Sequence, residues 1–189
     1  MTLPNKLTFL RILIIPVMVI IYCIPYLRNN AIFLNMSYAN FINLLLFMIA
    51  SFTDFLDGHI ARKYNLVTTF GKFADPLADK MLVFTAMSMF MATGYVLPVW
   101  VFVIILIREF MVSGIRMVAV ENGKVIAASK LGKIKTFTTM IALIIMFWYQ
   151  TNDIVLLIGQ IGMYVACLFT VVSGIDYFWK NREIILESI

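Results

Sequence analysis

The chain has 189 residues, of which 62% are hydrophobic and only 13% charged, with a formal net charge of +5. That balance excludes an ordinary soluble globular domain, and the recurrent apolar runs point to a polytopic membrane protein. Six spans of about 20 residues use most of the chain, leaving short loops and a single domain over residues 1–189.

In chain order, an all-α fold is expected with spans at 7–26, 33–60, 74–94, 97–119, 132–151 and 154–178. "PYLRNN" closes the first, "TGYVLP" parts the third from the fourth, and "QTND" parts the fifth from the sixth. "ENGKVIAASKLGK" suits a surface loop or short interfacial helix. The first run is interrupted by Arg11 and has no small-residue cleavage site, so it does not read as a secretory signal. Cys23 and Cys167 lie far apart in apolar runs and read as buried small side chains, with neither disulfide nor metal spacing. With six spans, Lys6, Arg62, Lys63, Lys72, Lys124, Lys130, Lys133, Lys135, Lys180 and Arg182 share one side, whereas the other receives Arg28 alone. Both termini and the 60–73 loop are therefore expected to face the cytoplasm.

Asp54, Asp57, Asp75 and Asp79 crowd into this oily chain beside that loop. Asp54 and Asp57 differ in direction by about 60° on a helix, and Gly58 and Ala61 continue their stripe. Gly71, Asp75 and Asp79 recur every four residues and share a stripe if that region is helical. Four carboxylates repel one another unless cations neutralise them, and hard oxygen donors suit Mg²⁺ or Mn²⁺ better than zinc. Two such ions form the clamp used for displacement at phosphorus. Blander readings stand beside this one. Asp75 before Pro76 resembles a helix N-cap, Gly58 and Ala61 suit close helix packing, and Arg62, Lys63 and Lys80 suit snorkelling. His59 reads as an incidental polar residue.

Arg11, Arg108 and Arg116 lie within spans, where an unpaired cation is costly. Together with Lys133 and Lys135 they suit a pocket for an acceptor that carries its own phosphate. The alternatives are that Arg108 pairs with Glu109 and that the lysines only follow the positive-inside bias.

Written out, the stretch is Asp54-x-x-Asp57-Gly58-x-x-Ala61-Arg62, eight residues, then Gly71-x-x-x-Asp75-x-x-x-Asp79. It resembles, at every fixed position, the signature of the CDP-alcohol phosphotransferase family. The resemblance implies a transferase that moves a phosphatidyl or similar group from a CDP-linked donor to an alcohol and releases CMP. It implies two divalent metal ions on Asp54, Asp57, Asp75 and Asp79, with Asp79 as general base. Asp57, Gly58, Ala61, Arg62, Gly71 and Asp75 would bind the CDP donor.

"LPNKLTFLRI", "REFMVSGIR" and "GKIKT" resemble the branch that uses CDP-diacylglycerol and sn-glycerol 3-phosphate to make phosphatidylglycerol phosphate. By that resemblance Thr8, Arg11, Arg108, Arg116, Lys133 and Lys135 line the acceptor-phosphate site. Cardiolipin synthases and phosphatidylinositol phosphate synthases are the rivals within the family, and a small divalent-cation transporter is the rival outside it. The resemblance also implies a homodimer in a bacterial plasma membrane, with the lipid bilayer as partner and no nucleic acid.

Overall fold

The computed structural model describes residues 2–63, 69–121 and 130–182. Helix α1 spans Leu3–Cys23, opens with a proline in its first turn and stops before Pro25, which begins the short helix α2, Pro25–Asn29. A hairpin follows, with β1 at Ala31–Phe33 and β2 at Met36–Ser37. Then come α3 (Tyr38–Lys63), α4 (Thr69–Met91), α5 (Val99–Glu121), α6 (Lys130–Met146) and α7 (Asp153–Lys180).

Among the described residues six long helices lie over the six apolar runs, with local differences from the expected bounds. The second span was expected from 33, but residues 31–37 form the hairpin and the helix starts at Tyr38. The turn residues Leu34 and Asn35 adopt φ of 45° and 62°, the left-handed region. No glycine marks that turn, so its sequence signal is weak. Helix α4 starts at Thr69, which places Asp75 and Pro76 inside the helix and removes the N-cap reading. Cys167 is buried as expected, whereas Cys23 is exposed at the end of α1. Most of "ENGKVIAASKLGK", residues 122–129, lies outside the described residues.

Cross-helix contacts show that the long helices alternate in direction. Tyr22 Oη, late in α1, donates to the Met89 carbonyl, late in α4, at 3.1 Å. Asn43 Nδ2, early in α3, reaches Met89 Sδ at 3.8 Å. Arg116 and Tyr177 meet late in α5 and α7, while Gln160, early in α7, bonds the Tyr95 carbonyl just before α5. One end of the bundle is closed by neutral polar bonds: Gln150 Oε1 accepts from Ser37 N at 2.8 Å and from Asn40 Nδ2 at 2.9 Å. Apart from Arg28 and Asp153, the described charged residues lie away from that end.

The interior is apolar and includes small side chains, among them Ala50, Ala78, Ala86 and Ala142 beside Met18, Phe47 and Leu82. Small residues let helices approach closely where lipid offers no hydrophobic drive. Phe90 and Phe147 meet edge to face at 4.8 Å between ring centroids in this core. Outward-facing Leu13, Ile20, Trp100, Ile107, Phe137 and Ile175 are exposed. By length and composition, Pro4–Cys23 and Asp153–Lys180 are each apolar enough to cross a membrane, and Tyr38–Asp54 is a shorter apolar stretch. Helices α4, α5 and α6 carry charged groups within their apolar runs: Asp75, Asp79 and Lys80, then Arg108, Glu109 and Arg116, then Lys133 and Lys135.

Helices α6 and α7 pack through glycine. A Cβ at Gly159 would lie 2.7 Å from Met146 Cγ and 3.4 Å from its backbone, and one at Gly162 would lie 3.0 Å from Ala142 Cβ. Gly159→Ala is expected to cost roughly 1–3 kcal/mol through overpacking, read as a lowered midpoint of unfolding in detergent. Gly114→Ala, with nothing within 4 Å of the new Cβ, is the control and should leave the midpoint unchanged or raise it.

Candidate active site

Three of the four motif aspartates are described at side-chain level, and they converge on one face of α1. Arg11 and Thr8, three residues apart on that helix, are both 0% exposed. Arg11 Nη1 lies 2.8 Å from Asp54 Oδ1 on α3 and 3.2 Å from Asp79 Oδ1 on α4. The two carboxylate oxygens are thus no more than about 6 Å apart, the sum of those two lengths. One turn back, Thr8 Oγ1 donates to Asp75 Oδ1 at 2.5 Å. Because α4 is helical from Thr69, Gly71, Asp75 and Asp79 do share a stripe, and Gly71 is buried on it. The side chains of Asp57, His59, Ala61 and Arg62, with Gly58, lie outside the described residues.

Beyond Asp79 opens a cavity of about 600 Å³ between α4, α5, α6 and α7. Its charged lining is Asp79 and Lys80 from α4, Arg108, Glu109 and Arg116 from α5, and Lys133 and Lys135 from α6. Glu109 Oε1 accepts from Arg108 Nη1 at 2.8 Å and from Lys135 Nζ at 2.5 Å. Those lengths hold the two cationic nitrogens within about 5 Å of each other, where unscreened charges repel by roughly 3 kcal/mol at an effective dielectric of 20. The carboxylate between them offsets that repulsion. Arg108 Nη2 also donates to Ser173 Oγ at 2.9 Å, and its Cγ would lie 3.0 Å from a Cβ at Gly174. Arg116 Nε donates to Tyr177 Oη at 3.3 Å with its guanidinium over the ring, and Lys80 Nζ donates to Ser113 Oγ.

A family model described as CDP-alcohol phosphatidyltransferase matches residues 1–172 of the chain. The chain belongs to the CDP-alcohol phosphatidyltransferase family. Three similar curated proteins all carry the name CDP-diacylglycerol--glycerol-3-phosphate 3-phosphatidyltransferase. The protein from Bacillus subtilis is 42% identical over 190 residues, covering 98% of both chains. That from Rickettsia felis is 40% identical over 181 residues, with 93% of each covered. That from Salmonella choleraesuis is 33% identical over 191 residues, with 98% of each covered.

In this CDP-alcohol phosphatidyltransferase the expected acceptor set divides in two. Arg108, Arg116, Lys133 and Lys135 line the basic cavity together. Thr8 and Arg11 are not in that lining and lie instead against Asp75, Asp54 and Asp79. Helix α1 packs on α3 and α4, so its buried cation pairs with the nearest anions, the aspartates. Arg108 does pair with Glu109, yet it lines the cavity as well, so the two readings of that arginine are compatible.

The aspartate cluster suits divalent cations. Its donors are carboxylate and hydroxyl oxygens, and Asp54 and Asp79 keep about a third of their side-chain surface accessible, at 30% and 34%. Three carboxylates against the one Arg11 guanidinium leave a charge of about −2 that calls for further cations. Among the described residues no three acids stand close enough together to hold an ion by themselves, and the fourth aspartate, Asp57, is outside that set.

Lys80, Glu109, Ser113, Ser173 and Tyr177 were not anticipated as site residues. For Glu109 a signal existed, a carboxylate inside a span next to an arginine. Ser173 and Tyr177 carry none, since they reach the site only because α7 packs along α5.

Arg11 links three helices, so Arg11→Ala should leave two neighbouring carboxylates without their buried partner. A loss of about 2–3 kcal/mol is expected, below the full cost of breaking a buried pair because the aspartates are partly exposed. Denaturant unfolding in detergent measures it, and Arg11→Lys should fall between wild type and Arg11→Ala.

Proposed function

We propose that this protein transfers the phosphatidyl group of CDP-diacylglycerol to sn-glycerol 3-phosphate, giving phosphatidylglycerol phosphate and CMP. The observation that carries this reading is the position of Asp79, which belongs to the aspartate cluster and also lines the basic cavity. A carboxylate on that boundary can take a proton from an alcohol held in the cavity and aimed at a phosphoryl group beside the aspartates.

In this mechanism Asp54, Asp57, Asp75 and Asp79 would hold two divalent ions, Mg²⁺ or Mn²⁺, which would supply polarisation of the phosphoryl oxygens and neutralisation of the leaving CMP. Asp57, Gly58, Ala61, Arg62, Gly71 and Asp75 hold the CDP portion of the donor. Arg11 fixes Asp54 and Asp79 relative to each other, and Thr8 does the same for Asp75. Arg108, Arg116, Lys133 and Lys135 bind the acceptor phosphate, orienting its free primary hydroxyl toward Asp79. Asp79 accepts the hydroxyl proton as that oxygen attacks the donor's phosphorus.

The reading extends to the setting. The chain forms one domain over 1–189, crosses a bacterial plasma membrane six times and has both termini and the site on the cytoplasmic side. The alternating helices, the exposed apolar surface and the one-sided lysines and arginines support this. A homodimer is part of the same proposal, on family resemblance. A phosphate-bearing acceptor is favoured over phosphatidylglycerol because an arginine- and lysine-lined cavity stands next to the proposed base.

The test is CMP release by the purified protein with CDP-diacylglycerol, Mg²⁺ and a panel of alcohols. Activity with sn-glycerol 3-phosphate is expected, and none when divalent metal is omitted. Asp79→Asn should lower kcat by about 10²–10⁴-fold, the range for loss of a general base. Arg116→Ala should raise KM for glycerol 3-phosphate about tenfold while leaving that for the CDP-lipid nearly unchanged. Preference for phosphatidylglycerol or an inositol phosphate would overturn the acceptor assignment.

A further inference from the structure

A carboxylate in an anion-binding cavity works against its ligand, so Glu109 needs a reason to be there. Neutralising Arg108 and Lys135 explains only half of its side chain. Both cations bond to the same oxygen, Oε1. The second oxygen, Oε2, makes no hydrogen bond to the described residues and is not a sealed-off buried atom, in a residue that lines the cavity. The carboxylate is held by those two bonds, from Arg108 on its own helix and Lys135 on α6. The result is a fixed hydrogen-bond acceptor beside two fixed cations.

We propose that Glu109 determines acceptor specificity: Oε1 holds Arg108 and Lys135 in place for phosphate oxygens, while Oε2 accepts a hydrogen bond from an acceptor hydroxyl that does not react. The inference rests on the acceptor reading above. In sn-glycerol 3-phosphate the reacting primary hydroxyl lies toward Asp79 and the phosphate toward Arg108, Arg116 and Lys135. The middle hydroxyl lies between those two groups in the acceptor, and Glu109 lines the same cavity as Asp79 and the cations. An acceptor without that hydroxyl would strip water from Oε2 and return no hydrogen bond, which is how a polar site rejects a deoxy analogue. The same acid repels an anionic group placed where the hydroxyl should be, adding a repulsive element to the selection.

The experiment compares two acceptors with the full-length protein, CDP-diacylglycerol and Mg²⁺. They are sn-glycerol 3-phosphate and 3-hydroxypropyl phosphate, which keeps the phosphate and the primary hydroxyl and lacks the middle one. The wild type is expected to prefer glycerol 3-phosphate by about 10–100-fold in kcat/KM, the range for a hydrogen bond to a charged group. In Glu109→Ala that preference should fall to within about threefold, with KM for CDP-diacylglycerol changed less than about twofold. Glu109→Gln, of the same shape without the charge, is the second variant if the alanine protein does not fold, and it should lose at least about fivefold of the preference. Equal use of the two acceptors by the wild type, or an undiminished preference in the variants, overturns the role of Glu109 and leaves the proposed reaction standing. Wild-type CMP release with another alcohol but with neither of these overturns the acceptor reading, and this inference with it.

Discussion

The Arg11 guanidinium, fully buried and shared between Asp54 and Asp79, is the contact on which the charged end of the bundle depends. A cation with no exposed surface is tolerable only when paired, and here its partners come from two other helices. Sliding α1 along α3 or α4 would separate charges in a medium that cannot solvate them. Thr8 adds a second restraint one turn away on Asp75, so α1 and α4 are held in register by pairs spaced three residues apart on one helix and four on the other. The aspartates therefore owe their arrangement to α1, a helix that contributes none of them.

Around that anionic cluster the other helices build its electrical opposite. Lys80, Arg108, Arg116, Lys133 and Lys135 converge on a single cavity, and Glu109, Ser113, Ser173 and Tyr177 each hold one or more of them by hydrogen bonds. Backbone shape takes part as well. Helix α7 has a glycine at 174 where Arg108 lies across it, so the arginine packs flat on the helix and turns its head toward Ser173. Anionic and cationic regions share a wall at Asp79. Such an arrangement sets a carboxylate on the boundary between an anionic and a cationic region.

Several parts of this architecture were legible in the residues. Hydropathy located the six long helices because each contains an apolar run, which in α4, α5 and α6 is interrupted by charged residues. The stripe of Gly71, Asp75 and Asp79 followed from a spacing of four once the region was helical. The hairpin at 31–37 was not legible, since Leu34 and Asn35 take a left-handed turn without the glycine that usually announces one. Asp75-Pro76 resembled a helix start because proline suits the first turn, yet α4 begins six residues before Asp75 and carries the proline inside.

What the sequence determined by itself was the local chemistry: an apolar helical chain, acids grouped within one short segment, and basic residues biased to one side. These follow from neighbours in the chain, through helical periodicity and the cost of burying charge. Only the tertiary structure decided the partners. Thr8 and Arg11 lie 67 and 68 residues from Asp75 and Asp79, and Arg108 lies 65 from Ser173. Separations of that size carry no periodic signal, because which faces meet depends on how small residues let the helices pack. That packing assigned Arg11 to the aspartates and made Glu109 part of the cavity wall.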